Sequence, residues 1–165
     1  MKFFPEDIDP FMCTHIIYAF ADLKNNHLTT FEYNDDDFPD GTPGMYTRVN
    51  DLKKINPDLK VLLAVGGWNM GSGPFMQMVE TKATRTDFIS HSIGFLRDRN
   101  FDGLDLDWEY PSGVYKEKFT LLVQVGLSIF GLSGETIAIN VRTLVYTFLI
   151  AYIINTPKNV IVMMT

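Results

Sequence analysis

Asp105, Asp107 and Glu109 stand at positions i, i+2 and i+4 of the stretch FDGLDLDWE, which begins at Phe101. Side chains alternate between the two faces of a strand, so this rhythm puts all three carboxylates on one face and Leu104, Leu106 and Trp108 on the other. The apolar set belongs under flanking helices. The acidic set is costly to bury, because like charges repel and each loses its hydration. Charges tolerated in such an arrangement mark a site. Two alternatives remain, a solvent-exposed acidic strand face and a metal cage. The strictly apolar opposite face argues against a fully exposed strand, and no histidine lies near enough in sequence to complete a transition-metal site.

The spacing has a consequence for proton chemistry. Inward carboxylates held close together cannot all ionise cheaply, so their titrations couple. Glu109 falls at the strand end, the edge where parallel α/β sheets place their reactive groups. Anionic neighbours and partial burial favour its acid form, which makes it the natural proton donor to a leaving group. Asp107 is then placed to hold a substrate group, and Asp105 to take up or share the proton. Asp102 has the opposite parity.

The rest of the chain supplies the frame for that strand. Thr14–Ala21 (THIIYAFA) is a short apolar run, as expected of a strand buried on both faces. Asp22–Gly44 reads as a loop holding five acids in nine positions, Glu32, Asp35, Asp36, Asp37 and Asp40. A calcium loop is one reading, but neither the spacing nor the glycine matches an EF-hand, which favours a solvated surface loop. Helices are predicted over Tyr46–Ile55, Thr84–Arg99 and Tyr115–Val125, and a second buried strand over Leu59–Gly66. Strand and helix alternate, so the architecture is α/β, a βαβα parallel sheet with right-handed crossovers. With 165 residues the chain is short of the roughly 200 that a closed (β/α)₈ barrel needs.

Composition narrows the function. The formal net charge is -6 and there is no basic run, which excludes nucleic acid as a partner. The single cysteine, Cys13, rules out an intrachain disulfide and a CxxC metal site. Met1-Lys2-Phe3-Phe4 runs at once into Pro5, Glu6 and Asp7, so no signal peptide is recognisable. His15, His27 and His91 show no ligand or triad spacing and read as structural. No cofactor and no metal is implied, because acid–base chemistry needs none.

At the level of motifs, FDGLDLDWEYP (Phe101–Pro111) resembles the DGxDxDxE signature of family 18 glycoside hydrolases, the chitinases and chitinase-like lectins. Asp102, Gly103, Asp105, Asp107 and Glu109 all match. LAVGGWN (Leu63–Asn69) is similar to the preceding strand of that family, with Ala64 where a serine is common, and CTHIIYAFA (Cys13–Ala21) to its second strand. The resemblance covers residues 1–124 and implies an incomplete TIM-barrel catalytic domain, with about strands 2 to 4 recognisable. It implies hydrolysis of β-1,4-linked N-acetylglucosamine polymers, so chitin or a chito-oligosaccharide is the expected partner. The implied mechanism is retaining and substrate-assisted, an exception to the two-carboxylate scheme. Glu109 would protonate the glycosidic oxygen and later activate water. Asp107 would orient the acetamido N–H, and Asp105 would pair with Asp107. Trp68 would offer a stacking face, with Phe20, Asn69 and Tyr110 beside it in the cleft; for Trp68 and Phe20 the alternative is plain core packing. Asp102, Gly103, Gly66 and Gly67 take supporting roles. By the same resemblance the setting is extracellular.

The chain also departs from that family. Only twelve residues precede Cys13, where the family has its first strand and a cysteine that pairs with the one at this position. The MxYD-type tyrosine and the last-strand tryptophan are missing, since Trp68 and Trp108 are the only two tryptophans. Residues 125–165 are an unassigned apolar tail. Leu144–Ile154 is an uncharged run of eleven residues, short for a membrane span of about 20. The change of character at Gln124-Val125 is what a coding exon read through its splice donor would give. An isolated half barrel carries open strand edges, so weak or absent activity is expected of this chain alone. A non-catalytic chitin-binding lectin is the second reading; lectin members of the family usually lack the acid found here at Glu109.

Overall fold

A computed structural model describes residues 3–133 and 160–164. Its frame is a sheet of three parallel strands, β1 (His15–Lys24), β3 (Lys60–Gly66) and β4 (Gly103–Asp107), in that spatial order. A short antiparallel strand β2 (His27–Thr30) lies outside β1. The connections carry helices α1 (Met45–Asn50), α2 (Gly73–Val79) and α3 (Lys82–Asp98), and α4 (Tyr115–Ser133) follows β4. The strand–helix alternation and the parallel pairing expected from the sequence are both present. The helix expected to end at Val125 continues to Ser133.

Parallel pairing puts Ile17 beside Leu62 and Leu62 beside Gly103, then Ala19 beside Ala64 and Ala64 beside Asp105, with Gly66 beside Asp107. The two faces of the sheet differ accordingly. Ile16, Tyr18, Val61, Leu63, Val65, Leu104, Leu106 and Trp108 belong to the main core with Phe75 of α2, Phe88 and Leu96 of α3, and Phe119 and Leu122 of α4. The opposite face holds only a small cluster of Ile17, Ala19, Leu62 and Ala64, with Phe20 packed against it. Trp108 ties the helices to the sheet. Its ring stacks on Phe75 at 5.2 Å, meets Phe119 edge-on at 5.8 Å, and its Nε1–H donates to Ser72 Oγ at 2.9 Å.

Helix α3 starts where its sequence caps it. Thr81 Oγ1 accepts from the Thr84 amide at 3.1 Å, and Thr84 Oγ1 accepts from the Thr81 amide at 3.0 Å, so two otherwise orphaned donors are satisfied reciprocally. Helix α2 escapes the pattern reading because it is seven residues long and opens on Gly73-Pro74, a dipeptide that reads as a turn.

Two expectations are corrected in the segment 22–44. The loop predicted from Asp22 holds the end of β1 and all of β2. Asn25 and Asn26 take φ of 50° and 70°, the left-handed pair of a two-residue hairpin turn. Asparagine tolerates that conformation where most residues do not. The acids are also not all solvated. Asp35 is fully buried, because its carboxylate accepts from Tyr18 Oη at 2.7 Å and from the amides of Phe31 and Glu32 at 2.9 and 2.8 Å.

A third correction concerns the edge of the sheet. Strand β5 (Val160–Met164) pairs in parallel with β1 from His15 to Ala19, continuing the edge along which β2 pairs from Ala21 to Lys24. That edge of β1, which a half barrel leaves open unless its tail covers it, is thus covered by backbone hydrogen bonding from Val160–Met164. The apolar run Leu144–Ile154 lies outside the described residues. Among the described residues no helix is long and apolar enough to cross a membrane.

Candidate active site

The acids reach the open face as the strand alternation requires, but at different depths. Asp105 is 4 % exposed and lies in register with Ala64, whose neighbour on β1 is Ala19. Alanine methyls on that face leave room for a carboxylate that larger side chains would crowd. Asp107 is half-buried and ends β4. The strand was expected to carry Glu109 as well, but it stops at Asp107, so Glu109 sits two residues beyond the ladder, half-buried on the turn. Asp107 and Glu109 both line a cleft of about 640 Å³ at the C-terminal edge of the sheet. Asp105 is not among its lining residues; it lies one pleat period below Asp107.

The β3–α2 turn forms the next part of the wall, and its two glycines are there for space. A Cβ on Gly66 would lie 2.1 Å from the carbonyl oxygen of Asp107, and its φ of +125° is closed to other residues. A Cβ on Gly67 would lie 2.9 Å from the Phe20 ring, at a φ of +77°. Gly67 N–H donates to that same Asp107 carbonyl at 2.9 Å, which ties the two turns together. The next residue, Trp68, is 78 % exposed at the cleft, which rules out core packing for it. Phe20 does both things proposed for it, lining the cleft while packing on the small inner cluster. Asn69 lines the cleft and is exposed.

Three further candidates fall elsewhere. Tyr110 is half-exposed and is not among the residues lining the cleft. Gly103 is buried at the start of β4, in register with Leu62. Asp102 stands at the opposite end of the strand from the cleft. Its carboxylate accepts from Lys53 Nζ at 3.0 Å and from the Val61 amide at 2.8 Å, with Lys60 Nζ at 3.7 Å. It fastens β4 to β3 and to the 3₁₀ turn Asp51–Lys54. His15, in the same neighbourhood, is held below the ordinary imidazole range by burial, which the charge of Asp102 opposes. Among the described residues no three His, Cys, Asp or Glu side chains are grouped to hold a metal ion.

Sequence reasoning missed Asp22, Phe31, Met70 and Pro74, all of which line the cleft. Phe31 had a signal: it follows β2 directly, and once Asn25-Asn26 is read as a hairpin turn the chain must return toward the end of β1 beside Phe20.

An acid-bearing strand end, a glycine turn packed against it and an exposed indole thus meet in one cleft. The model for glycosyl hydrolases family 18 matches residues 2–146. Mouse chitotriosidase-1 is 48% identical over 129 residues, which is 75% of this chain and 26% of that protein. The chain therefore spans about a quarter of the length of that relative. The Group IV chitinase of Ostrinia furnacalis, solved in complex with allosamidin, superposes with a TM-score of 0.76 at 34% identity, over 84% of this chain and 38% of that one. Human YKL-39, described as a pseudo-chitinase with retained chitooligosaccharide binding properties, gives 0.74 at 36% identity over the same shares. Its architecture is accordingly part of a TIM barrel, and the chain belongs to glycosyl hydrolases family 18.

Proposed function

We propose that this chain carries the acid-bearing part of a chitinase-type active site, acting on β-1,4-linked N-acetylglucosamine polymers. The observation that supports the reading most is that Asp107, Glu109 and the exposed indole of Trp68 line one cleft at the C-terminal edge of a parallel sheet. A sugar ring laid on Trp68 buries its apolar C–H face against the indole, as aromatic side chains do with other flat apolar surfaces. The adjoining glycosidic oxygen then comes within reach of the Glu109 carboxyl, which gives it a proton as the bond to the anomeric carbon breaks. Asp107 accepts the acetamido N–H, so that the acetamido carbonyl oxygen attacks the anomeric carbon and the oxazolinium-like charge is stabilised. Glu109, now a carboxylate, takes a proton from the water that adds to the anomeric carbon as the acetamido oxygen leaves it. Asp105, below Asp107, shares the proton between the two aspartates. The same reading puts the working place of the protein outside the cell, where chitin is laid down.

Binding without turnover is the second reading. It is favoured by the exposure of Trp68, and the described residues build only the wall made by β1, β3 and β4. One experiment separates the two. Chito-oligosaccharides are titrated into the full chain while tryptophan fluorescence and sugar release are followed. Under the hydrolase reading, Glu109→Gln keeps binding within about twofold and lowers release by about 10²–10⁴-fold, the usual contribution of a general acid. Binding by the unaltered chain with no release assigns it to the lectin reading. Absence of any binding would sink both.

A further inference from the structure

Away from the cleft, a hollow of about 280 Å³ opens where the start of α1 meets the end of α3. Asp36, Asp37, Tyr46, Thr47, Asp98 and Arg99 line it, and none of them lines the cleft. Tyr46 points to its use. The residue is 2 % exposed, and its hydroxyl has no hydrogen-bond partner among the described residues. Buried hydroxyls are nearly always paired, because an unpaired one has lost its water and gained nothing. The ring cannot swing to find a partner, since it stands edge-on to Tyr18 at 5.2 Å and to Phe101 at 5.1 Å. Burial, then the neighbouring Asp35, Tyr18 and Asp36, push the phenol above its ordinary range, and Arg99 opposes them, so the group stays neutral. Asp36 and Arg99 are also walls of the hollow, which puts the phenol oxygen at its floor.

The charge around that floor is unbalanced, with three carboxylates facing one guanidinium. Arg99 is already engaged. Its Nε and Nη2 each donate to Asp36 at 2.7 Å, its Nη1 donates to the Phe95 carbonyl at 3.3 Å, and it lies 3.7 Å over the Phe95 ring. Asp37 is held below the usual carboxylate range by the Gly44 amide, which donates at 2.8 Å, and by the Thr47 hydroxyl. The Asp98 carboxylate has neither hydrogen bond nor ion pair among the described residues. A metal ion does not suit the place, because both Asp36 oxygens face Arg99 and no three acids are grouped to hold one among the described residues. An ammonium group suits it. It brings positive charge and three N–H donors, enough for Asp98, Asp37 and the Tyr46 oxygen. A neighbouring hollow of about 560 Å³ shares Asp36, Asp98 and Arg99 and runs on to Leu28, Gly94 and Phe95, where an alkyl stem can lie.

We propose that this hollow binds a primary alkylammonium group, carried by a small free amine or by a lysine side chain, with Asp98 as its counter-ion and the Tyr46 hydroxyl as its buried anchor. The site is independent of the sugar-binding reading, since the two share no lining residue.

The test is an NMR titration of the isotope-labelled full chain. The probes are putrescine, lysine blocked at both backbone ends, and norleucine blocked in the same way as the uncharged control. The Thr47 and Arg99 amides shift with an amine and not with norleucine. Asp98→Asn weakens binding about tenfold and Tyr46→Phe about fivefold, the loss of a charged and of a neutral partner. Tyr46→Phe also melts no lower than the unaltered chain, because it removes an unpaired hydroxyl and keeps the ring. Shifts with lysine alone assign the site to a side chain of a protein partner, and shifts with putrescine alone to a free amine; shifts with both support the ammonium as the recognised group. No shift with either amine, or equal shifts with norleucine, overturns the site. Unchanged affinity in Asp98→Asn overturns the counter-ion. Unchanged affinity in Tyr46→Phe, or a lower melting temperature, overturns the anchor.

Discussion

Gly66 shows how much of the site is decided by single atoms. Its φ of +125° and the 2.1 Å approach of a hypothetical Cβ to the Asp107 carbonyl leave no room for a methyl group. Gly66→Ala therefore costs about 2–4 kcal/mol, the sum of backbone strain and a displaced neighbour. Gly41 is the matched control, with a φ of +86° and open space around its missing side chain, so Gly41→Ala costs only about 1 kcal/mol. Urea unfolding of both variants checks the difference, and a Gly66→Ala protein as stable as Gly41→Ala would refute it. At this scale the sequence was readable where chemistry repeats. The acids announce themselves by spacing, while the two glycines and Trp68 stand out through the resemblance of LAVGGWN to a family motif. Asp35 does not: it looks like one acid among five, and a tyrosine 17 positions earlier together with the amides of Phe31 and Glu32 makes it different.

At the scale of elements, the seam between β2 and α3 responds to pH. The rings of His27 and His91 stack at 3.9 Å and 3°. Asp87 accepts from Asn26 Nδ2 at 2.9 Å and lies 3.1 Å from His27 Nε2. Burial holds the His91 imidazole below its ordinary range. The His27 ring acts in the same direction, Asp87 opposes it, and Arg99 adds to it slightly. A histidine depressed in the fold binds its proton more readily when unfolded, so the unfolded state gains as pH falls. His15 behaves alike. Stability is then full above about pH 6.5, the unfolded imidazole value, and declines as pH drops from there toward the folded values. Thermal melts between pH 7.5 and 5.5 should show this decline, and His91→Gln should flatten it; a variant with the same slope would refute the assignment to His91. This seam was illegible beforehand because the Asn25-Asn26 turn hides inside a polar stretch. Secondary structure showed clearly where apolar runs alternate with helical stripes, and failed where two asparagines stand in for the usual Asn-Gly. The pairing of β5 with β1 was hidden for another reason. A partner 145 residues away along the chain leaves no local pattern.

For the whole molecule, the decisive property is that one face of the sheet is packed and the other is nearly bare. The packed face is closed by four helices, α1 to α4, whereas the open face carries four small or medium apolar residues and the acids. On the proposed reading Glu109 is the proton donor there, but a general acid alone contributes only about 10²–10⁴-fold. The remainder comes from orientation and from groups arrayed around the developing charge. The full 165-residue chain should therefore release product from a chitobioside about 10³-fold or more slowly than a complete family member while still binding longer oligosaccharides. A fluorogenic assay decides this, and turnover at an ordinary enzymatic rate would refute it. The position of Glu109 carries a last consequence. It stands outside the β4 ladder, half-exposed, while Trp68 and the Gly67–Asp107 bond that steadies the turns belong to the frame. On the proposed reading, a single base change in its codon, giving glutamine or lysine, would cut hydrolysis by about 10²–10⁴-fold and leave the sugar seat standing. Drift from enzyme to receptor is thus a short step for such a sheet, and selection on binding could hold the lineage in place long after catalysis had been lost.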